Sequence, residues 1–390
     1  MREYELTIIE TLAGIPAAEW NALAGPNPTL QWAFLQSMID AGCTTPERGW
    51  RPLFLILRRD LAGQRAMTGA LPLYLKGHSY GEYVFDWAWA EAYHQHGLDY
   101  YPKLVAAVPF TPCTGPRLMA ATEADRAILL EGALSIAREE EVSSLHVLFP
   151  PEAEQARWVG AGLLQRHSVQ FHWRNAGYPS FESFLSTMSH DKRKRIRQER
   201  RKVREAGLVF RRVSGADIRE ADWDFFAACY RKTYREHRST PYLNRAFFGL
   251  IGERMPGNLM LVMAERDGQP VASALNLVGG GVMYGRYWGT TAMHSGLHFE
   301  TCYYQAIEHA IELGLATIEG GAQGEHKLAR GFEPVRCHSA HWLKHPQFAR
   351  AVEDFLERER EGIARYESEL EDSSPFRKSS TGAATGGKAP

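Results

Sequence analysis

Between Leu259 and Trp342 the chain sets out its elements in an order that few architectures accept. In LMLVMAERDGQPVASALNLVGGGVMYGRYW, Asp267-Gly268 separates two apolar runs as a two-residue turn signal, and Gly279-Gly280-Gly281 permits a second reversal. Three antiparallel strands in a meander are predicted. Leu297 to Leu313 then carries helical periodicity, Gly314 stands where a C-terminal cap belongs, and Ala316 to Glu319 suits a short strand beside the last of the meander. The order is βββαβ.

The same plan is legible upstream. Gly162-Leu163 through His172-Trp173 returns as Gly331-Phe332 through His341-Trp342, with identical internal spacing and 169 residues further on. Glu123 to Arg138 and Ser144 to Phe149 precede the first copy as helix and strand, matching what precedes the second. Leu53 to Leu57, Ala66 to Leu75 and Glu82 to Trp87 read as another meander. The expected class is α/β (α+β), with two tandem domains, each a mixed sheet of βββαβ order flanked by helices. They span 1–177 and 178–345, divided at a linker with the Gly and Pro of Asn175 to Pro179. The first carries an aromatic and proline-rich inserted loop, 88–119, of a length that is commonly functional. A charged terminal helix, 346–372, and a disordered tail, 373–390, complete the chain.

Among the 390 residues there is no apolar run near the ~20 needed to cross a bilayer. The N-terminus lacks the continuous apolar core of an export signal, so a cytoplasmic protein is expected. Five scattered cysteines, none in a CxxC pair, point to reduced thiols rather than a disulfide framework or a zinc knuckle. Net charge is −1, which gives no global signal for nucleic acid, yet the charge is uneven along the chain.

That unevenness concentrates in HDKRKRIRQERRKVREAG, with nine Lys or Arg between Lys192 and Arg204 and only Ile196 and Val203 as apolar anchors. The spacing predicts a basic helix over 190–206 that docks by one thin stripe. Its bland reading is a solvated face; the functional one is a phosphate site, with Lys192, Arg193 and Arg197 as binding candidates. On the helix Leu297–Leu313, Glu300 is the one ionisable member of a core-facing row, so it is either salt-bridged, with Arg286 on the preceding strand as candidate partner, or held as a base. GGAQGEHKLARGF, leaving the carboxyl end of the last strand, crowds Gln323, His326, Lys327 and Arg330 together at a place where α/β folds bind ligands. Its Gly and Lys spacing excludes a P-loop. In the first half, Tyr83, Asp86, Trp87, Tyr100, Lys103 and Arg117 belong to an aromatic stretch suited either to strand packing or to an organic ligand. Tyr284, Arg286 and Trp288, on the third strand of the second meander, are candidates for binding the substrate or donor. His94 and His96 find no third ligand at convincing spacing, so no metal is expected.

The strings YGEYVFDWAWAEAYHQHGLDYYPKL, PFTPCTGPRL, SHDKRKRIRQERRKV, LHFETCYYQ and GAQGEHKLARGF together resemble the FemAB-like branch of the GNAT superfamily, bacterial N-acyltransferases of peptidoglycan-biosynthesis type. The resemblance runs from about Trp20 to Arg360. It implies two GNAT-like domains and transfer of an acyl or aminoacyl group, from acyl-CoA or aminoacyl-tRNA, to a small-molecule or peptide amine. It also implies tRNA or a lipid-linked precursor at the membrane surface as partner. One departure bears on the donor: where the acetyl-CoA pyrophosphate signature should fall, GTTAMHSGLHF supplies only isolated Gly289 and Gly296. The expected mechanism sets the donor carbonyl against the strand Val282 to Trp288, with Glu300 or His326 as base and Lys327 beside them. The rival is an RNA-binding or anionic-lipid-binding module on a catalytically inactive GNAT scaffold.

Overall fold

The structure is a computed structural model and describes residues 4–61, 63–321 and 324–377. Its strands, in chain order, are β1 (Tyr4–Ile9), β2 (Trp50–Pro52), β3 (Phe54–Leu61), β4 (Gln64–Leu71), β5 (Leu73–Lys76), β6 (Lys103–Ala106), β7 (Met119–Ala120), β8 (Ser144–Leu148), β9 (Leu164–Arg174), β10 (Leu208–Ser214), β11 (Leu259–Arg266), β12 (Gln269–Gly279), β13 (Val282–Thr290), β14 (Thr317–Glu319) and β15 (Glu333–Leu343). β1, β3, β4 and β7 form a small sheet. The rest form one sheet of eleven strands in the order β10-β11-β12-β13-β14-β9-β15-β8-β6-β5-β2.

The meander β11-β12-β13 stands where the turn residues predict it. Asp267 and Gly268 both take the positive φ, 52° and 72°, that a tight hairpin requires. The helix after β13 starts at Leu297, passes through a π-turn at Glu300–Tyr304 and continues to Glu312. It returns the chain to β14, which pairs with β13 in parallel.

The repeated segments are β9 and β15, and they pair with each other. Their antiparallel register sets Ser168 opposite Cys337, two residues that the 169-residue displacement makes equivalent. A pseudo-twofold axis therefore passes through that pair. Each half lends its last strand to the other: β9 lies against β14, and β15 lies against β8. Register also equates the neighbours, because His172 faces Glu319 while its counterpart His341 faces His146. Buried Leu, Val, Ala and aromatic side chains fill both faces of this continuous sheet.

The first meander departs from expectation. Glu82 to Trp87 is not a strand: Tyr83 has φ of 63°, Glu82 and Asp86 turn inward to bond Lys103, and a helix, Trp87–Gln95, begins at once. The third strand of that half is β6, so the span 88–119 holds a sheet strand rather than a simple inserted loop. Residues 373–377 are likewise packed, with Phe376 bridging Met188 and the Pro375 carbonyl accepting from the Ser189 amide. Residues 378–390 of the expected tail lie outside the described residues.

Candidate active site

β13 and β14 stay paired only over Val282–Tyr284 and Thr317–Glu319. Beyond that point β13 continues along β12 while β14 ends, and the two part. At the parting β13 has a bulge: Gly285 pairs with Asn276 and Tyr287 with Leu275, leaving Arg286 opposite nothing. Such a bulge re-aims the side chain of its extra residue. The space opened between the strands is a cavity of about 670 Å³ lined by Tyr83, Arg286, Trp288, His298, His326 and Lys327, among others.

One wall comes from the helix after β13 and the short turn Glu325–Arg330. The Tyr303 hydroxyl lies 3.0 Å from Nε2 of His326, and His298 stacks on Trp288 with ring centroids 4.3 Å apart. Burial, then the Arg330 and Lys327 charges, push His326 below the ordinary imidazole range, so at neutral pH it is an unprotonated base. Burial pulls Lys327 down to about 8; its Nζ donates to the Gly321 carbonyl at 3.1 Å. Burial, with the neighbouring Arg330 and Lys327 charges, holds His298 neutral as well, its pKa depressed to about 4.

The opposite wall belongs to the first half. A fully buried ammonium, Lys103, donates to Ser79 Oγ at 2.8 Å and to Glu82 at 2.9 Å, and also to Asp86. Tyr100 donates to Asp86 at 2.6 Å and reaches His146 at 3.1 Å. This network ties down the segment Ser79–Asp86, whose intervening residues Tyr83, Val84 and Phe85 face the cavity. The positive φ of Tyr83 is a strained conformation that only firm anchoring sustains.

The structure thus gathers Tyr83, Arg286, Trp288, His326 and Lys327 around one cavity. Asp86, Tyr100 and Lys103 lie behind its wall, and Trp87 sits outside, packed on Tyr80. Arg117 is buried within the first half, bonded to the carbonyls of Leu148 and Cys113. Tyr284 points into the core. Glu300 is buried and ion-paired to Arg200 at 2.8 Å, so its partner comes from the basic helix and not from Arg286. Arg330 is committed to Glu199 at 2.9 Å and lies over Phe299. Gln323 lies outside the described residues. Tyr303, His298 and Glu319 carried no sequence signal beyond helical or strand spacing; only the parted strands single them out.

The basic helix, His190–Glu205, forms a second concavity of about 640 Å³ with Phe181, Glu182 and Leu185. Arg197 is paired to Glu182, and Arg200 to Glu300 and Glu308. Lys192 is not among the residues that line this groove; Arg193, Lys194 and Arg204 line it and have no acid partner among the described residues. No described helix is long and apolar enough to cross a membrane, and no described group of three or more His, Cys, Asp or Glu converges as a metal site would.

Two βββαβ halves with a cleft at parted parallel strands define a tandem GNAT-like fold. Residues 11–378 match the profile of the FemAB-like family, described as peptidoglycan biosynthesis/recognition, and the chain belongs to that family. Among solved structures it is similar to FemX, at 11% identity and a TM-score of 0.53, covering 86% of this chain and 98% of that one. It is also similar to the C-terminal domain of a lysylphosphatidylglycerol synthetase from Agrobacterium fabrum (11% identity, TM-score 0.50, 88% and 95% covered). A third is L-PGS from Bacillus licheniformis (10%, 0.50, 87% and 96%). No curated protein matches the sequence. Family and fold together support an acyl- or aminoacyltransferase of cell-wall metabolism.

Proposed function

We propose that the protein is an N-acyltransferase that moves an acyl or aminoacyl group onto an amine in the cavity between β13 and β14. The observation that carries this reading is the parting of those strands beside His326, whose ring lies 3.0 Å from the Tyr303 hydroxyl. The amine attacks the donor carbonyl, forming the C–N bond, and backbone N–H groups at the bulge of β13 stabilise the oxyanion. His326 takes the proton the amine loses and returns it to the departing oxygen or sulfur as the donor ester or thioester breaks. Tyr303 orients the ring; Lys327 supplies positive potential.

Two features favour an aminoacyl-tRNA over acyl-CoA as donor. A Cβ placed on Gly296, at the start of the helix after β13, would lie 3.1 Å from Val203 and 3.4 Å from the Glu199 carbonyl. The basic helix therefore covers the helix end at which a pyrophosphate would be held. The same helix offers, on its outer side, the unpaired cations suited to a phosphate backbone. Those cations would also serve a lipid-linked precursor at a membrane surface, and the peptide amine of such a precursor is the acceptor class this reading prefers.

Substitution tests the base directly. His326→Ala is expected to lower kcat/KM for acyl transfer by about 10²- to 10³-fold with an unchanged circular dichroism spectrum. Glu300→Gln, which touches the Arg200 ion pair and the Gln305 hydrogen bond but no group lining the cavity, is expected to change it by less than about tenfold. A His326→Ala enzyme within tenfold of wild type removes His326 from the mechanism.

A further inference from the structure

The cavity wall holds a cation without a counter-ion. Arg286 has no carboxylate within ion-pairing distance among the described residues; its Nη2 donates to the Phe110 carbonyl at 2.8 Å, its Nη1 has only Cys113 Sγ at 3.9 Å, and its Nε–H is buried with no acceptor. Glu319 feels the Arg286 charge but lies beyond ion-pairing distance, and it accepts from the Thr114 amide instead. The two fully buried arginines among the described residues have their charge met within the protein, Arg330 by an ion pair and Arg117 by carbonyls, whereas half-buried Arg286 lines the cavity with its Nε–H unmet. A guanidinium left under-bonded in a low-dielectric wall is costly unless an anion completes it.

We infer that Arg286 receives a carboxylate of the acceptor, so that the substrate is an amine that also bears a carboxylate: an amino acid or a peptide. The inference rests on the acyltransferase reading of this cavity and names its substrate class. Three observations point to a carboxylate. The planar fork of Arg matches a carboxylate with two parallel hydrogen bonds. The bulge takes Arg286 out of the strand's alternation, and its side chain lines the cavity beside Tyr287 and Trp288. The surrounding wall is phenolic and aromatic, from Tyr83, Tyr234, Tyr242, Tyr287 and Trp288, with Lys327 as the other unpaired cation. That is a wall for one or two point anions on an organic body, whereas the cation-dense surface lies on the basic helix.

Calorimetric titration with alanyl-alanine, in L and D forms, against its C-terminal amide tests this without any donor. In the wild-type protein the acid of at least one form is expected to bind about tenfold or more tightly than its amide. Arg286→Gln is expected to erase that preference. Arg286→Lys, which keeps the charge but not the fork, is expected to retain part of it. An amide that binds as well as the acid, a preference that survives Arg286→Gln in a folded protein, or no binding of either form up to about 50 mM overturns the proposal. The outcome is separable from that of the His326 test. An acid preference without acyl transfer leaves the carboxylate site standing and removes the reaction; transfer without acid preference does the reverse.

Discussion

The two halves share a plan, and their clefts end differently. In the second half, β13 and β14 part after Tyr284 and Glu319 and leave a cavity. In the first half, β6 and β8 part after Ala106 and Val147, and the chain fills the gap with itself. It leaves the sheet at Ala107, then returns so that the Gly115 amide donates to the Phe149 carbonyl at 3.1 Å and Arg117 Nε to the Leu148 carbonyl at 2.9 Å. This plug then forms part of the other cleft. The Phe110 carbonyl accepts from Arg286 and from the Tyr287 hydroxyl at 2.7 Å, and Pro112 lines the cavity. One copy of the fold has thus become the scaffold that finishes the site in the other.

The comparison breaks most visibly at Arg117. Its guanidinium is fully buried and held by carbonyls, with Glu154 gripping its backbone amide at 3.0 Å. Arg117→Ala would strand those carbonyls and open a void, at a cost of about 3–5 kcal/mol, read as a lower urea midpoint. Because the plug also carries Phe110 and Pro112, acyl transfer per folded molecule should fall with it, unlike His326→Ala, which spares stability. A stability loss under about 1 kcal/mol would show that the first cleft is filled by something other than this plug.

The next effect separates the two clefts by pH. Glu319, at the mouth of the open cleft, has its pKa raised by burial from 4.5 to about 7, with the Thr114 amide and Arg286 opposing. A group raised on folding stabilises fully below its unfolded pKa, and that contribution is lost as pH rises through the folded value. The Glu319 contribution should therefore be lost between pH 4.5 and 7, by up to roughly 3 kcal/mol, and should appear as the difference between the wild type and Glu319→Gln. Its counterpart in the closed cleft, His146, has the opposite sign. Burial depresses it from 6.5 to about 3, so stability is kept above pH 6.5 and falls as pH drops toward 3. Melting temperatures of the wild type and Glu319→Gln from pH 5 to 8.5 decide it: parallel curves would mean that Glu319 ionises freely.

How much of this the sequence shows follows from where the information sits. Turn chemistry at Asp267-Gly268 and the cap at Gly314 are local, so the second meander and its helix are legible. The 169-residue repeat reveals a duplicated plan, but the exchange of β9 and β15 is a choice between partners of equal pattern that only the assembled sheet makes. Glu82 to Trp87 alternates like a strand because Glu82 and Asp86 face a buried Lys103 from a loop; a period of two cannot distinguish a core ammonium from solvent. At the site, His326 and Lys327 stand out as polar residues crowded at a strand end, whereas Glu300 satisfied the same rule and is occupied by Arg200, 100 residues away in sequence. The bulge at Arg286 has no local signature, since it arises from pairing with β12.

The smallest effect concerns the basic groove. Arg197 and Arg200 already have carboxylate partners, and Arg201 is paired to Glu205, so the groove-lining arginines and lysines free to meet phosphates are Arg193, Lys194 and Arg204. Replacing these three with Ser should leave folding within about 0.5 kcal/mol of wild type, since they make no internal contact that folding depends on. Binding of a tRNA should weaken, and the slope of log affinity against log salt should shrink by about 2 to 3, close to one per phosphate contact removed. An unchanged slope would show that tRNA, if it binds, meets the protein elsewhere. The aminoacyl donor would then lose its main support, and the coverage of Gly296 by Val203 would remain as the sole evidence on how the donor is held.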